Sequence, residues 1–276
     1  MNFTTSKLVP IRRSDNSSFV GGRGVTSLIL CAIFLVSLVT VDWDASVFHD
    51  GGISSVILIL QGMVELDLSP EFLGIAIEAS WITITYAFAA ISLAMVIAVP
   101  ISFVASGSLF ESVISKIVGI SMIRVLLAVI RSIHELIWAW LLAIALGFTP
   151  TAGVMALAIP YSAILARVFA DFLNDVPDSP LNALRSSGAS PFQVLIYGRI
   201  PLAAKDILSY AFYRFECCLR SAAVLSFIGL QGIGYQIMVS LDDVNFGQVW
   251  TLLIFLVAMV VLIDHWGSQI RRNLFS

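Results

Sequence analysis

From residue 75 to residue 105 the chain is apolar over a length that suits a lipid bilayer better than water, and this run decides what the rest can be. About 20 consecutive apolar residues in a helix cross the ~30 Å hydrocarbon layer, so a stretch of this size crosses with tilt, and Pro100 near its end can bend it. Similar runs recur at residues 25–41, 152–172, 202–228 and 246–263. A half-length core at 136–148 becomes a span by borrowing residues from the Arg131-Ser132-Ile133 side. The expectation is an all-α, polytopic transmembrane helix bundle of about six membrane-spanning helices. Composition agrees: 59% hydrophobic and 12% charged residues, against roughly 45–50% apolar in soluble domains, leave no room for a sizeable soluble domain. Cys31, Cys217 and Cys218 all fall inside apolar segments, where packing is the default and no disulfide framework is suggested.

The polar segments give the topology. Residues 1–24 carry Lys7, Arg12, Arg13 and Arg23 without helical or strand periodicity, and read as a cytoplasmic lead. Residues 25–74 hold the first span, a retained anchor with no cleavage pattern after it, and an acidic outer segment with Asp42, Asp44, Asp50, Glu65, Asp67 and Glu71. Within that segment the run 53–64 is too short to span and is placed on the outer surface. Residues 75–276 form the main transmembrane domain, with a stretch at 106–135 along the cytoplasmic interface and a cytoplasmic loop at 177–201. Of the 15 Lys and Arg, all but Arg167, near the end of the run at 152–172, fall in segments so assigned to the cytoplasm or its interface, or in the fifth span, and none falls in an outer segment, as the positive-inside rule requires of six crossings with both ends inside.

The polar island Asp178 to Pro201 has the build of a docking element. Ser179 before Pro180 and Ser190 before Pro191 each place a side-chain cap ahead of a proline at a helix start. Gly188 breaks the pair. Leu181, Leu184, Phe192 and Leu195 recur at helical spacing and predict one shared apolar side, with Asn182, Arg185, Ser186 and Gln193 facing elsewhere.

Within the island, Asn182-Ala183-Leu184, then Gly188, then Gly198-Arg199-Ile200-Pro201, resembles the EAA motif of ABC importer permeases, the loop that sits in a cleft of a cytosolic ATPase. The resemblance implies a type I ABC importer permease fold, like that of methionine permeases, in a bacterial inner (cell) membrane. It implies as partners a cytosolic ABC ATPase dimer, an external substrate-binding protein, a second copy of the permease and membrane lipid. Asn182, Ala183, Leu184, Gly188, Gly198 and Pro201 are then the ATPase-coupling residues. Two letters depart, Asn182 where the family usually has Glu, and Ile200 where it has Leu. With Ser179 as cap, Asn182 is the third helical position, where Glu would close a capping box. No Walker-type glycine loop is present, so nucleotide hydrolysis belongs to a separate chain and this one is no enzyme.

A second resemblance runs from Arg131 to the C-terminus. Arg131-Ser132-Ile133-His134-Glu135, Leu146-Gly147-Phe148, Ala152-Gly153-Val154, Tyr210 to Glu216, Arg220-Ser221-Ala222 and the glycines Gly229, Gly232 and Gly234 are similar to the corresponding blocks of phosphonate-uptake permeases. Cys218 and Leu230-Gln231 depart from that group. The implied cargo is a phosphonate, phosphite or related oxyanion. Alternatives are a same-fold permease for methionine or a quaternary amine, or a self-sufficient secondary transporter or channel, for which the docking island has no use.

Arg214, Glu216 and Arg220 of the fifth span are the translocation-pathway candidates. Glu216 and Arg220 stand four apart in the favourable order for a helical ion pair, which leaves Arg214 to snorkel or to face a cavity. His134 and Glu135 lack further ligands at helical spacing, with His49 and His265 at opposite ends of the topology, so no metal is expected. Nor is a cofactor or a nucleic-acid partner.

Overall fold

The computed structural model describes residues 22–40, 52–108 and 113–275, and every regular element among them is helical. The expected lead charges Lys7, Arg12 and Arg13, the acids Asp42, Asp44 and Asp50, and His49 lie outside the described residues. The chain forms two compact units, residues 1–56 and 57–276. The first contains α1 (Gly22–Thr40), apolar around its circumference and exposed along its length. Its 19 residues measure about 28 Å at 1.5 Å per residue.

The second unit begins within α2 (Gly52–Gly62) and continues through α3 (Pro70–Ala105), α4 (Val113–Ser132), α5 (Glu135–Leu146), α6 (Pro150–Asn174), α7 (Asp178–Ser186), α8 (Pro191–Val194), α9 (Ile200–Leu225), α10 (Ile233–Asp242) and α11 (Phe246–Phe275). Its centre is α3 against α6. Ala87, Ala90, Ala94 and Ala98 on α3, with Ala156, Ala163, Ala166 and Ala170 on α6, are all buried. Side chains this small let backbones approach closely, which drives helix association where water is absent. Leu157, Leu165, Phe169 and Leu219 fill the space between them.

Among the described residues, four segments are long and apolar enough to cross a membrane: Pro70–Ala105, Pro150–Asn174, Pro191–Asp242 and Phe246–Arg272. A fifth is a bent pair, Ile117–Ser132 with Glu135–Leu146, meeting at 83°. That elbow meets the expectation that the half-length core needs help from the Arg131 side. It also turns α4 nearly square to α5. Against the expected count of about six, the described residues hold four long spans and this elbowed one, and α1 is a shorter apolar helix.

Between the apolar runs at 202–228 and 246–263, where the sequence pattern assigns no element, the chain forms a further helix. A short 3₁₀ turn at Ser226–Ile228 closes α9, Gly229 follows at φ 98°, and the chain resumes as the helix α10. Its start is capped from another helix: Thr83 Oγ1 on α3 accepts the Ile233 N–H at 3.0 Å. Buried Ile233, Ile237 and Ser240 then hold α10 in place at helical spacing.

Candidate functional site

The polar island folds as two short helices on a common base. Gly188 sits at φ 82°, just past the Ser187 that ends α7. Its N–H donates to Arg185 O at 3.0 Å and the next N–H, of Ala189, to Leu184 O at 3.1 Å, the two bonds of a left-handed helix terminus. Ser190 then caps α8: its hydroxyl accepts the Gln193 N–H at 3.3 Å, and the Gln193 side chain accepts the Ser190 N–H at 2.8 Å. This is a capping box, closed by Gln193 on the second helix of the island.

The first cap differs from expectation. α7 starts at Asp178 behind Pro177, and Ser179 lies inside the first turn without capping it. Pro180 permits this, because every N–H of a first turn lacks an intrahelical partner and its absence there goes unfelt. The earlier start also puts the Asp178 carboxylate at the positive end of the helix. Asn182 is consequently one position past the first turn, and its Oδ1 accepts a 2.8 Å bond from Arg185 Nη1.

Beneath the island, Leu181, Val194 and Leu195 are buried on Leu173, Val176 and Ala203. Gly198 lies in the five-residue π turn Leu195–Arg199 that feeds α9. A Cβ on Gly198 would stand 2.8 Å from Leu181 Cδ2 and 3.0 Å from Leu184 Cδ1, so the glycine lets α7 seat. Arg199 Nη1 donates to Leu173 O at 2.8 Å and to Asn174 Oδ1 at 2.9 Å, fastening the base of the island to the end of α6. Phe192 breaks the predicted apolar side, being 58% exposed, and Tyr197 is 73% exposed. Val194 takes the inward position of α8, and Phe192, two residues and about 200° away, must face out. Asn182, Ala183 and Pro201 are exposed and Leu184 is half-buried.

The charges of the fifth span pair differently from the sequence expectation. Glu216 reaches across to α11, where Arg271 Nη1 meets its Oε1 at 2.8 Å. Arg220 is exposed, with Nη2 3.6 Å from Cys217 Sγ. A cross-helix partner at the end of α11 outcompetes the i,i+4 neighbour, and no local spacing could have revealed it. The pairing also fixes depth. The apolar run of α11 ends at Ile263, and Glu216 lies against Gly267 and Arg271 beyond it. Glu216 therefore sits at the island-side edge of the bundle, and Arg220 only about 6 Å further in. Arg214 Nε donates to Tyr210 OH at 2.7 Å, and its guanidinium stands 5.0 and 5.6 Å from the Tyr210 and Tyr213 ring centres.

One polar chain lies deeper and was not read from the sequence. Ser221 Oγ donates to Glu135 Oε1 at 2.6 Å, and the Tyr161 hydroxyl, 3.1 Å away, donates to Ser221. It joins the elbow, α6 and α9. Among the described residues no group of three or more His, Cys, Asp and Glu is placed to hold a metal.

Residues 107–274 match the family described as binding-protein-dependent transport system inner membrane component. The phosphite transport system permease protein PtxC of Stutzerimonas stutzeri is 30% identical over 254 residues, 90% of this chain and 86% of that protein. The putative phosphite transport system permease protein HtxE of the same organism is 33% identical over 148 residues, 54% of this chain and 57% of its own length. In structure, the chain resembles one of the MetNI methionine ABC transporter in an inward-facing conformation, with TM-score 0.66 at 20% identity, covering 76% of this chain and 100% of that one. An amino acid ABC transporter crystallised with histidines gives 0.61 at 23%, with 74% and 95% covered. At these identities the structural likeness is one of fold.

Proposed function

Because this chain belongs to the binding-protein-dependent transport system inner membrane components, the permease subunits of ABC importers, we propose that its cargo is phosphite, a phosphonate or a related small oxyanion. It is a multi-pass membrane transport subunit, and ATP hydrolysis resides on a separate chain. Similarity to PtxC across 90% of the sequence carries the choice of cargo. An external binding protein delivers the solute. Two copies of the permease, embedded in lipid, enclose the path, since closed two-fold symmetry is the commonest way to line a channel from one gene product. Both chain ends lie in the cytoplasm. The island docks there on an ATPase dimer through Asn182, Ala183, Leu184 and Pro201, with Phe192 and Tyr197 as its exposed aromatic anchors, the residue type that dominates binding hot spots. Gly188 and Gly198 shape it. Arg214 and Arg220 attract the anion where the path leaves the bundle, while Glu216 is neutralised by Arg271.

The test is reconstitution of the permease with its ATPase and binding protein in liposomes, followed by ATP-dependent uptake of phosphite, methylphosphonate, phosphate and methionine. Uptake of the phosphorus oxyanions without methionine is the expected result. Uptake of methionine alone overturns the cargo assignment. The path assignment expects Arg214→Gln and Arg220→Gln each to reduce oxyanion uptake with insertion unchanged; parental rates from both remove it.

A further inference from the structure

Away from the island, α3 and the break between α9 and α10 enclose a recess of about 240 Å³ lined by Ile75, Glu78, Ala79, Ile82, Gln231, Gly232, Tyr235 and Gln236. Glu78 is the group that needs explaining. It lies eight residues into α3, about 12 Å from the helix start, inside a segment otherwise apolar enough to span. A carboxylate so placed is costly unless it faces water or a polar partner, and among the described residues no ion pair reaches it. The opposite wall is fixed. Gly232, at φ 146°, is backed by the Ser226 and Thr83 hydroxyls with no room for a Cβ, and Thr83 holds the following N–H. The break therefore cannot fold back to fill the recess.

The lining offers mixed chemistry. The Gln231 and Gln236 amides and the Tyr235 hydroxyl can donate hydrogen bonds, whereas an ionised Glu78 can only accept them. A ligand that satisfies all of them must present several acceptor oxygens and at least one O–H. Phosphite and alkylphosphonates in their monoanionic forms have this make-up, two unprotonated oxygens beside one P–OH, and the phosphate monoanion has two unprotonated oxygens beside two P–OH groups. Sulfate, with both protons gone near neutral pH, has no donor for Glu78 and would set like charges side by side.

We propose that this recess is a solute subsite selective for protonated phosphorus oxyanions, with Glu78 accepting the P–OH and the two glutamines and Tyr235 donating to the remaining oxygens. The proposal rests on the oxyanion-importer reading and adds to it the form of the anion and the residue that selects it. Gln231 belongs to the pair of residues at which this sequence departs from the phosphonate-permease blocks, so the subsite is tuned in this chain at a position where sequence comparison marks a difference.

The test uses the purified permease–ATPase complex in a phosphorus-free detergent, without binding protein, and reads saturation transfer to the methyl protons of methylphosphonate at neutral pH. Phosphite is expected to displace methylphosphonate, with sulfate weaker by about tenfold or more. Glu78→Gln, an exposed substitution, is expected to let sulfate compete on nearly equal terms, and Gln231→Ala to weaken both anions. A Glu78→Gln complex that keeps the parental preference, or a parental complex without saturation transfer, overturns the subsite. Uptake by the complete importer, measured in parallel, separates the two readings. Phosphite uptake alongside unchanged Glu78→Gln selectivity removes the subsite alone, whereas absence of any oxyanion uptake removes the cargo assignment and the subsite with it.

Discussion

Gly188 and Gly198 belong to one short motif and are glycine for unrelated reasons. At Gly188 the backbone has φ 82° while the space around a Cβ is open, so the penalty for another residue is conformational, about 1–2 kcal/mol for most L-residues and less for Asn. Gly188→Asn is expected to retain ATPase capture and transport, and Gly188→Val to lose both while still inserting, as measured by co-purification and uptake. At Gly198 the conformation is ordinary and the space is taken. Gly198→Val should lift α7 off its base and lower ATPase capture even though the helices themselves persist by circular dichroism. For Asn182→Glu the structure expects no capping box, because Ser179 is not the cap. The new carboxylate faces Arg185 instead, worth about 0.2–0.5 kcal/mol, and capture at or above the parental level checks this. The glycines and the Ser190 cap were legible because turn chemistry is written in adjacent letters. The position of the first cap was not, since Pro177 and Pro180 both permit a start.

Between elements, the strongest restraints join residues far apart in the chain. Asp67 precedes α3, accepts Gln248 Nε2 from α11 at 3.0 Å and the Ser69 N–H at 3.0 Å, and its backbone oxygen accepts Thr251 Oγ1 at 3.2 Å. The Gln248 bond, with Ser69 second, holds the Asp67 carboxyl below the ordinary carboxylate range. A depressed folded-state pKa means that its contribution is fully present above the ordinary value and is lost as pH falls through the lower one. Thermal unfolding in detergent should therefore show an acid-side loss of stability that is smaller in Asp67→Asn, and equal slopes for the two proteins would refute it. The apolar spans were readable from length alone, and the elbow from the shortness of residues 136–148. The helix α10 was not, because its cap is a threonine some 150 residues earlier. Nor was the Glu216–Arg271 bridge, which depends on where α9 and α11 cross.

For the whole molecule, the division at residue 56 has a practical meaning. The elbow, the island, the recess and the paired charges all lie in residues 57–276, so a chain beginning at Ile57 is expected to insert, bind its ATPase and transport at a rate near the parental one. Loss of ATPase binding by that shortened chain would show that the first unit is needed for the second. The single contact with the widest reach is made by Arg199. By holding the end of α6 from the start of α9, it closes the intervening two dozen residues into a loop with one clamped base, like a stirrup hung from two straps buckled together. A force on such a stirrup does not slacken one strap before the other. Torque delivered to the island thus enters α6 and α9 together, and the loop transmits rotation where an unbuckled linker would absorb it.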